Sequence, residues 1–176
     1  MKYPNHINSD FFKKMITAGW YAGREVVLDK LPSHLEEFSD EVKNFLNEIW
    51  FLNIVHDVFY SDQYQDIKYY NVIYSFGETT LKLIDYSQDD EYLNLYKSQV
   101  HKKIRNFGYK DGREILIDED GRIYEIPDSG DLYYLGGRFY EGLFKLIYGR
   151  GESYLALGGG EFINLKNKEK YNINNI

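Results

Sequence analysis

The stretch that decides the fold is IRNFGYKDGREILIDEDGRIYEIPDSGDLYYL, residues 104–135. Four short apolar runs in it are separated by clusters of glycine, proline and aspartate, which indicate tight turns between antiparallel strands. The stretch therefore predicts a four-stranded meander with strands at residues 104–109, 113–117, 122–126 and 132–135. The three turns are Lys110-Asp111-Gly112, Asp118-Glu119-Asp120-Gly121 and Pro127-Asp128-Ser129-Gly130.

Helices and further strands are expected on both sides of this meander. Apolar residues spaced by three and four predict a long amphipathic helix at residues 32–48, with an acidic outer face. Shorter helices are predicted at 9–18, 89–101 and 139–147, and strands at 26–28, 50–60 and 69–76; the type of the apolar element at 80–86 stays open.

The order of these elements predicts an α+β fold with a largely antiparallel or mixed sheet packed with about four helices. A single domain is expected over residues 1–176, with its core at 9–149. The tail at 150–176 is mostly polar and contains a Gly158-Gly159-Gly160 break, so it is expected to fray.

Composition narrows the class of protein. The chain has 176 residues, 21 Lys and Arg against 28 Asp and Glu, a net charge of −7 and no cysteine. The lack of cysteine excludes disulfide frameworks, thiolate zinc sites and cysteine nucleophiles. The acidic balance disfavours direct nucleic-acid binding and favours a basic protein partner. No run of ~18 apolar residues predicts a membrane span, and the first residues lack a signal-peptide core, so a cytoplasmic location is expected.

A search for chemistry finds no catalytic or metal-binding pattern, so no catalytic residue, metal or cofactor is predicted. The four histidines lack the spacing of a local metal pair, and neither a nucleophile elbow nor a phosphate-binding loop is present. In the acidic turn at 118–121, Gly121 stands at the fourth position, whereas a calcium loop needs glycine at the sixth. The turn is therefore interpreted as a hairpin, with Gly121 supplying its conformation.

Charge along the chain alternates in blocks. Residues 85–91 are acidic, residues 97–114 are mainly basic, and residues 118–131 are acidic again. Acidic side chains mixed with tyrosines on a rigid meander are typical of a contact surface for a basic protein, although a solubilising sheet face explains them equally well. The candidate partner-binding residues are Asp118, Glu119, Asp120, Tyr124, Asp128, Asp131, Tyr133 and Tyr134.

A second motif suggests a family. Ala18-Gly19-Trp20-Tyr21-Ala22-Gly23-Arg24, after a short N-terminal helix, resembles the opening signature of one subgroup of the SUKH superfamily of bacterial immunity proteins. The run from Ile115 to Tyr124 resembles that subgroup's hairpin of an apolar strand, Asp and Gly-Arg-Ile/Val-Tyr. Leu135-Gly136-Gly137, the following helix and Gly149 resemble its closing segment, so the resemblance covers residues 9–149.

The sequence also departs from that pattern. Asn47-Glu48-Ile49-Trp50-Phe51 stands where the subgroup has a Phe-Gly-Gly-like turn, residues 50–100 match poorly, and the tail after residue 150 has no counterpart. Within the resemblance, Trp20 is expected to be a buried anchor between the first helix and the sheet. Gly19 and Gly23 are expected to allow turns around it, and Arg24 to be clamped by a carboxylate.

The resemblance implies a non-enzymatic protein that binds and neutralises a toxin of bacterial competition, often a nuclease, in the cytoplasm. The expected partner is a basic C-terminal toxin domain, because a nuclease is basic where it meets nucleic acid. Two alternatives remain open at this point: a regulatory or scaffold module with the same fold, and a small enzyme acting on carbohydrate or nucleotide.

Overall fold

The computed structural model describes residues 9–26, 37–61, 67–77, 90–149 and 152–175. Within these ranges, nine strands form one antiparallel sheet in chain order, accompanied by four α-helices. The α+β class and the number of helices are thus confirmed. The helices are α1 (Ser9–Thr17), α2 (Asp40–Ile49), α3 (Asp90–Val100) and α4 (Phe139–Tyr148), and a 3-10 turn lies at Ile173–Asn175. The strands are β1 (Asn53–Ser61), β2 (Ile67–Phe76), β3 (Ile104–Lys110), β4 (Arg113–Asp118), β5 (Arg122–Ile126), β6 (Tyr133–Arg138), β7 (Tyr154–Gly158), β8 (Glu161–Asn164) and β9 (Lys170–Asn172).

The central meander is built as its sequence predicts. β3, β4, β5 and β6 follow the four predicted strands within a few residues, and each pairs antiparallel with the next. In the register, Leu116 lies opposite Tyr124, and Tyr124 lies opposite Tyr134. Because side chains alternate across a strand, these three residues share one face of the sheet.

That face is buried, and so is the opposite one. Ile115 and Ile117 of β4 pack into a core with α1, α2 and α4, whereas Leu116 packs into a second core with α3 and the C-terminal strands. All three side chains are fully buried. The middle of the sheet is therefore covered on both sides, and no open sheet face exists at β4.

Helix α2 begins later than its apolar periodicity predicts. Residues 37–39 form a turn, and the hydroxyl of Ser39 accepts a hydrogen bond from the backbone N–H of Val42, which caps the helix at its start. The prediction of one continuous helix over 32–48 is therefore wrong at residues 37–39. Phe38 precedes the cap and is buried, so the apolar spacing continues through a non-helical turn. The predicted portion at 32–36 lies outside the described residues.

The C-terminal tail is ordered, contrary to the expectation of fraying. Gly159 and Gly160, with φ values of 63° and 77°, form the two-residue turn of a β7–β8 hairpin. Phe162 of β8 and Ile173 of the 3-10 turn are buried in the second core. The polar residues of the tail occupy the exposed positions between these anchors. The mostly polar composition of the tail therefore gave no indication that its strands cover one face of the sheet.

The remaining predicted elements have mixed outcomes. The strands expected at 50–60 and 69–76 and the helix at 89–101 correspond to β1, β2 and α3. Val26 is not in a strand, and the rest of the strand predicted at 26–28 lies outside the described residues. The undecided element at 80–86 also lies outside them.

Candidate functional site

The segment Gly19–Arg24 joins α1 to two other helices. Trp20 is buried, its ring packs against Phe12 and Tyr140, and its Nε1 donates a 2.9 Å hydrogen bond to the Tyr140 hydroxyl. The Tyr140 hydroxyl in turn donates to the carboxylate of Glu48 at the end of α2. Trp20 is therefore a buried anchor as expected, but its polar partner belongs to α4 instead of the sheet.

The two glycines of this motif adopt left-handed backbone conformations, with φ of 98° at Gly19 and 72° at Gly23. Such φ values favour glycine, in agreement with the expected turns around Trp20. The turn is closed by the backbone N–H of Arg24, which donates to the carbonyl of Tyr21. The phenol of Tyr21 stands 59% exposed in this turn.

Arg24 is held by backbone carbonyls, so the prediction of a carboxylate clamp is wrong. Its Nη1 donates to the carbonyl of Glu48 at 3.0 Å and to that of Asn47 at 3.4 Å. Helix α2 has no basic residue in its own last turn. Since the carboxyl end of a helix carries a partial negative charge, Arg24 supplies the missing cation.

An acidic cleft of about 500 Å³ lies between this turn and α2. Three carboxylates and two amides surround it, and none of its described lining residues is a lysine or arginine. Glu48 is fixed by Tyr140, whereas Glu25 and Glu41 are exposed. We call this site the acidic cleft; its lining residues are Gly23, Glu25, Glu41, Asn44, Asn47 and Glu48.

The carboxylate and amide oxygens that line the acidic cleft suit an organic cation. Carboxylate and amide oxygens accept hydrogen bonds from an ammonium or guanidinium group, and carboxylates balance its charge. Across the described residues, no group of three or more His, Cys, Asp or Glu is arranged to hold a metal ion. These oxygen atoms match the hydrogen-bond donors of a lysine ammonium or an arginine guanidinium group.

A second cleft of about 510 Å³ lies where β6 meets α4. Its charges are mixed, because Lys145 and Glu141 form a 3.0 Å ion pair on its wall. Because a positive and a negative side chain pair on this wall, the second cleft lacks the excess of negative charge found in the acidic cleft. Its described lining residues are Tyr134, Gly136, Gly137, Arg138, Glu141, Lys145, Tyr154 and Asn175.

Three of the predicted contact residues are buried. Asp118 and Tyr124 are 0% exposed and Tyr134 is 3% exposed, because all three face the second core. The prediction that they bind a partner is therefore wrong. Their polar groups form hydrogen bonds within the protein.

Asp118 is the centre of a buried polar cluster. One carboxylate oxygen accepts the backbone N–H groups of Asp120 and Arg122, each at 2.9 Å. The other accepts the Tyr124 hydroxyl at 2.8 Å and Arg122 Nη1 at 3.3 Å. The Asp-x-Asp-Gly-Arg-x-Tyr pattern thus encodes a hairpin whose turn is fixed by its first aspartate.

Burial dominates the titration of this cluster. It raises the pKa of Asp118, against the opposing effect of the hydrogen bonds from Tyr124 and Arg122. Burial, reinforced by Asp118, raises the pKa of Tyr124 well above its ordinary value. Burial would also raise the pKa of Asp120, but Arg122 and Lys102 outweigh it and lower that pKa.

Gly121 contributes the turn conformation that the sequence predicts. Its φ is 80°, and a Cβ at this position would overlap the ring of Phe139. The hairpin turn therefore packs directly on the start of α4, where the N–H of Phe139 donates to the carbonyl of Gly121.

Much of the remaining acidic meander is already paired. Lys102 lies 3.3 Å from Asp120 and 3.9 Å from Glu119, and Arg113 lies 3.0 Å from Asp128. The basic block at 97–113 thus neutralises the acidic block that follows it. Of the predicted contact residues, Asp128 and Asp131 are exposed, and Glu119, Asp120 and Tyr133 are half-buried.

Sequence reasoning missed the acidic cleft, although it named part of its wall. Gly23 and Arg24 were assigned structural roles, and the acidic flank of the long helix was interpreted as a solvated face. Glu41, Asn44 and Glu48 are spaced by three and four, so they share one side of α2. That spacing was a usable signal, but the approach of Glu25 depends on the fold.

A scan against protein-family models and searches of curated proteins and solved structures found no match to this chain. Within the part of the chain that the structure describes, no helix is long and apolar enough to cross a membrane.

Proposed function

We propose that this chain is a non-enzymatic immunity protein of the SUKH type, which binds and neutralises a basic toxin domain in the cytoplasm of the producing cell. The observation that carries the proposal is the acidic cleft. The residues that resemble the family's opening signature form the turn at its edge, and its exposed carboxylates have no described basic residue beside them in the lining. Charge complementarity of this kind directs encounter with a basic partner and rejects acidic ones.

The partner surface in this proposal differs from the one that the sequence favours. The carboxylates of the meander are largely engaged with Lys102, Lys110 and Arg113. A carboxylate that lies beside a lysine or arginine presents less net negative charge to a partner than an isolated one. The proposal therefore places the principal contact at the acidic cleft, with the exposed part of the meander as the competing surface.

Co-expression with a candidate partner, a basic toxin domain sought among the genes adjacent to this one, tests the function. The wild-type chain is expected to restore growth and to form a stable stoichiometric complex with that domain. Absence of both rescue and complex would overturn the proposal. A complex with an unrelated host protein and no rescue would favour the regulatory-module alternative, and turnover of a carbohydrate or nucleotide would favour the enzyme.

Three double substitutions with the same change in net charge locate the surface. Glu25→Lys with Glu41→Lys alters the acidic cleft, and Glu119→Lys with Asp131→Lys alters the meander. Glu161→Lys with Glu169→Lys is the control, because both residues lie in the C-terminal segment and are exposed. The cleft variant alone is expected to lose protection. Loss confined to the meander variant would move the contact to the surface predicted from sequence.

A further inference from the structure

The turn that follows α2 holds a phenylalanine in a conformation that favours glycine. Leu52 N–H donates to the carbonyl of Ile49 at 3.1 Å, Trp50 has φ −58° and ψ 138°, and Phe51 has φ 62°. These values correspond to a type II β-turn, whose third position favours glycine or asparagine. A side chain there is strained, because Cβ approaches the backbone in the left-handed region.

The phenyl ring of Phe51 is less covered than that of the other left-handed phenylalanine, Phe139. Phe139 also has a left-handed φ of 50°, but its ring packs edge-on against Phe45 at 5.5 Å. The ring of Phe51 is 39% exposed, and its ring contact with Trp50 is longer, at 6.4 Å. Strain that is maintained beside an exposed aromatic ring is typical of a functional position.

The β1–β2 hairpin, which begins directly after this turn, exposes two aliphatic side chains. Val55 of β1 lies directly opposite Ile73 of β2, and they are 47% and 48% exposed. Their neighbours on the other face, Ile54 and Val72, are buried in the first core. The backbone N–H of Phe51 donates to the carbonyl of Phe76 at the end of β2, and the N–H of Phe76 donates to the carbonyl of Leu52, so the turn that carries Phe51 continues the β1–β2 ladder.

Acidic groups flank this apolar pair. Asp57 lies two residues beyond Val55 on the same face of β1, and Asp111 exchanges hydrogen bonds with the backbone of Ile73 through its carboxylate and its N–H. Both aspartates are exposed. Arg113, whose pKa is raised first by its hydrogen bond with Asp128, lies near enough to Asp111 for that carboxylate to contribute to the rise as well. A second copy of this chain would bring the same negative charges together, which disfavours self-association.

We propose that Phe51, Val55 and Ile73 form an apolar contact for the basic toxin domain, which presents an aliphatic or aromatic side chain flanked by lysine or arginine. This inference rests on the proposed function and extends it, because it adds an apolar contact on the sheet face opposite the one on which α2 packs. Exposed aromatic and aliphatic anchors give an interface most of its affinity, whereas complementary charges chiefly set encounter and selectivity.

The test titrates the candidate toxin domain against the wild-type chain and a Phe51→Gly, Val55→Thr, Ile73→Thr variant. Threonine keeps the β-branch that suits a strand while replacing a methyl or ethyl group with a hydroxyl. Removal of three anchors is expected to weaken binding by about tenfold or more. Leu157→Thr is the matched control, since Leu157 of β7 is 46% exposed, and its affinity is expected to stay at the wild-type value.

The outcomes separate the two proposals. No binding by the wild-type chain overturns both, whereas wild-type affinity in the triple variant overturns only the apolar contact. If the triple variant does not fold, Phe51→Gly alone decides, because glycine relaxes the turn and should preserve the melting temperature while reducing affinity. A wild-type dimer in light scattering that the triple variant abolishes would assign this face to self-association and overturn the inference.

Discussion

At the scale of single residues, Asp118 decides whether the central hairpin forms. Its carboxylate is completely buried and accepts four hydrogen bonds, two of them from the backbone of the turn that it precedes. A buried charge is tolerated only when it is paired and hydrogen-bonded, and Arg122 and Tyr124 complete both requirements. The residue is therefore a structural centre of the fold.

Asp118→Asn is expected to lower the free energy of unfolding by about 3 kcal/mol, because it leaves Arg122 buried with less compensation. The new amide also places a donor where the turn supplies only donors. Urea denaturation at pH 7 measures the change. Asp128→Asn is the control, since Asp128 pairs with Arg113 at the exposed end of the same strands, and its loss should be less than about 1 kcal/mol. Equal losses in the two variants would contradict the assigned role.

His56 carries a second buried polar atom, on the inner face of β1. Its Nδ1 has no hydrogen-bond partner among the described residues, and its ring lies 4.8 Å from that of Tyr148 in α4. Burial, and then Lys14 of α1, lower the pKa of His56 against the opposing effect of Asp57 and Asp10. The carboxylate of Asp10 accepts a hydrogen bond from the Tyr148 hydroxyl, so α1, β1 and α4 meet around this imidazole.

This lowered pKa makes stability depend on pH. The unfolded chain binds a proton near the ordinary histidine pKa, whereas the folded chain binds it only at lower pH. The free energy of unfolding is therefore expected to fall as pH decreases from ~7 through the folded pKa. Urea denaturation across this range should show a flatter profile for His56→Gln. An unchanged slope in His56→Gln would contradict the assignment.

At the scale of elements, the sequence predicts a strand or helix boundary correctly where a few adjacent residues specify a turn or a cap. The turns at Gly112, Gly121 and Gly130 fixed the four central strands because glycine there permits a backbone that other residues resist. Helix α2 was extended too far because apolar spacing continues through Phe38. Ser39 followed by Asp40 and Glu41 is the start signal that marks its true beginning.

The C-terminal strands were not predictable in the same way. β8 and β9 have four and three residues, too few for an alternating pattern to stand out. Gly158-Gly159-Gly160 is compatible with both a break and a hairpin turn, and only pairing with β6 and contact with α3 decide between them. The burial of Asp118 and Tyr134 follows from this missed layer, since these strands and α3 pack over their face of the sheet.

Phe162 tests whether the tail is part of the fold. Its side chain is 0% exposed and its ring lies 6.4 Å from both Tyr124 and Tyr134. Phe162→Ala is expected to cost about 3–5 kcal/mol of unfolding free energy, because a cavity remains in the second core. Leu165→Ala changes a 37% exposed residue three positions later and should cost less than about 0.5 kcal/mol. Thermal and urea denaturation measure the loss of unfolding free energy in both variants. Equal losses would indicate that the tail is frayed and does not contribute to the core.

At the scale of the whole molecule, the net charge of −7 is unevenly available. Basic residues in the first half of the meander lie beside acidic residues of its second half in space, as in the pairs Lys110–Glu125 and Arg113–Asp128. Such pairing depends on strand register and could not be deduced from blocks along the chain. The acidic cleft contains no such compensation among its described lining residues, so the carboxylates between α2 and the turn that carries Trp20 are not paired within that lining.

Together with the proposed function, this distribution predicts how a complex with a basic toxin domain responds to salt. Charge steering raises association rates and is screened by ions, so the association rate should fall about tenfold or more between ~20 mM and ~500 mM salt. Stopped-flow fluorescence measures that rate. The Glu25→Lys, Glu41→Lys variant should have a lower rate at low salt and a weaker salt dependence. Phe51→Gly should keep the wild-type dependence and dissociate faster, because an apolar contact acts after encounter. A salt dependence that the cleft variant retains in full would place the steering charges elsewhere on the molecule.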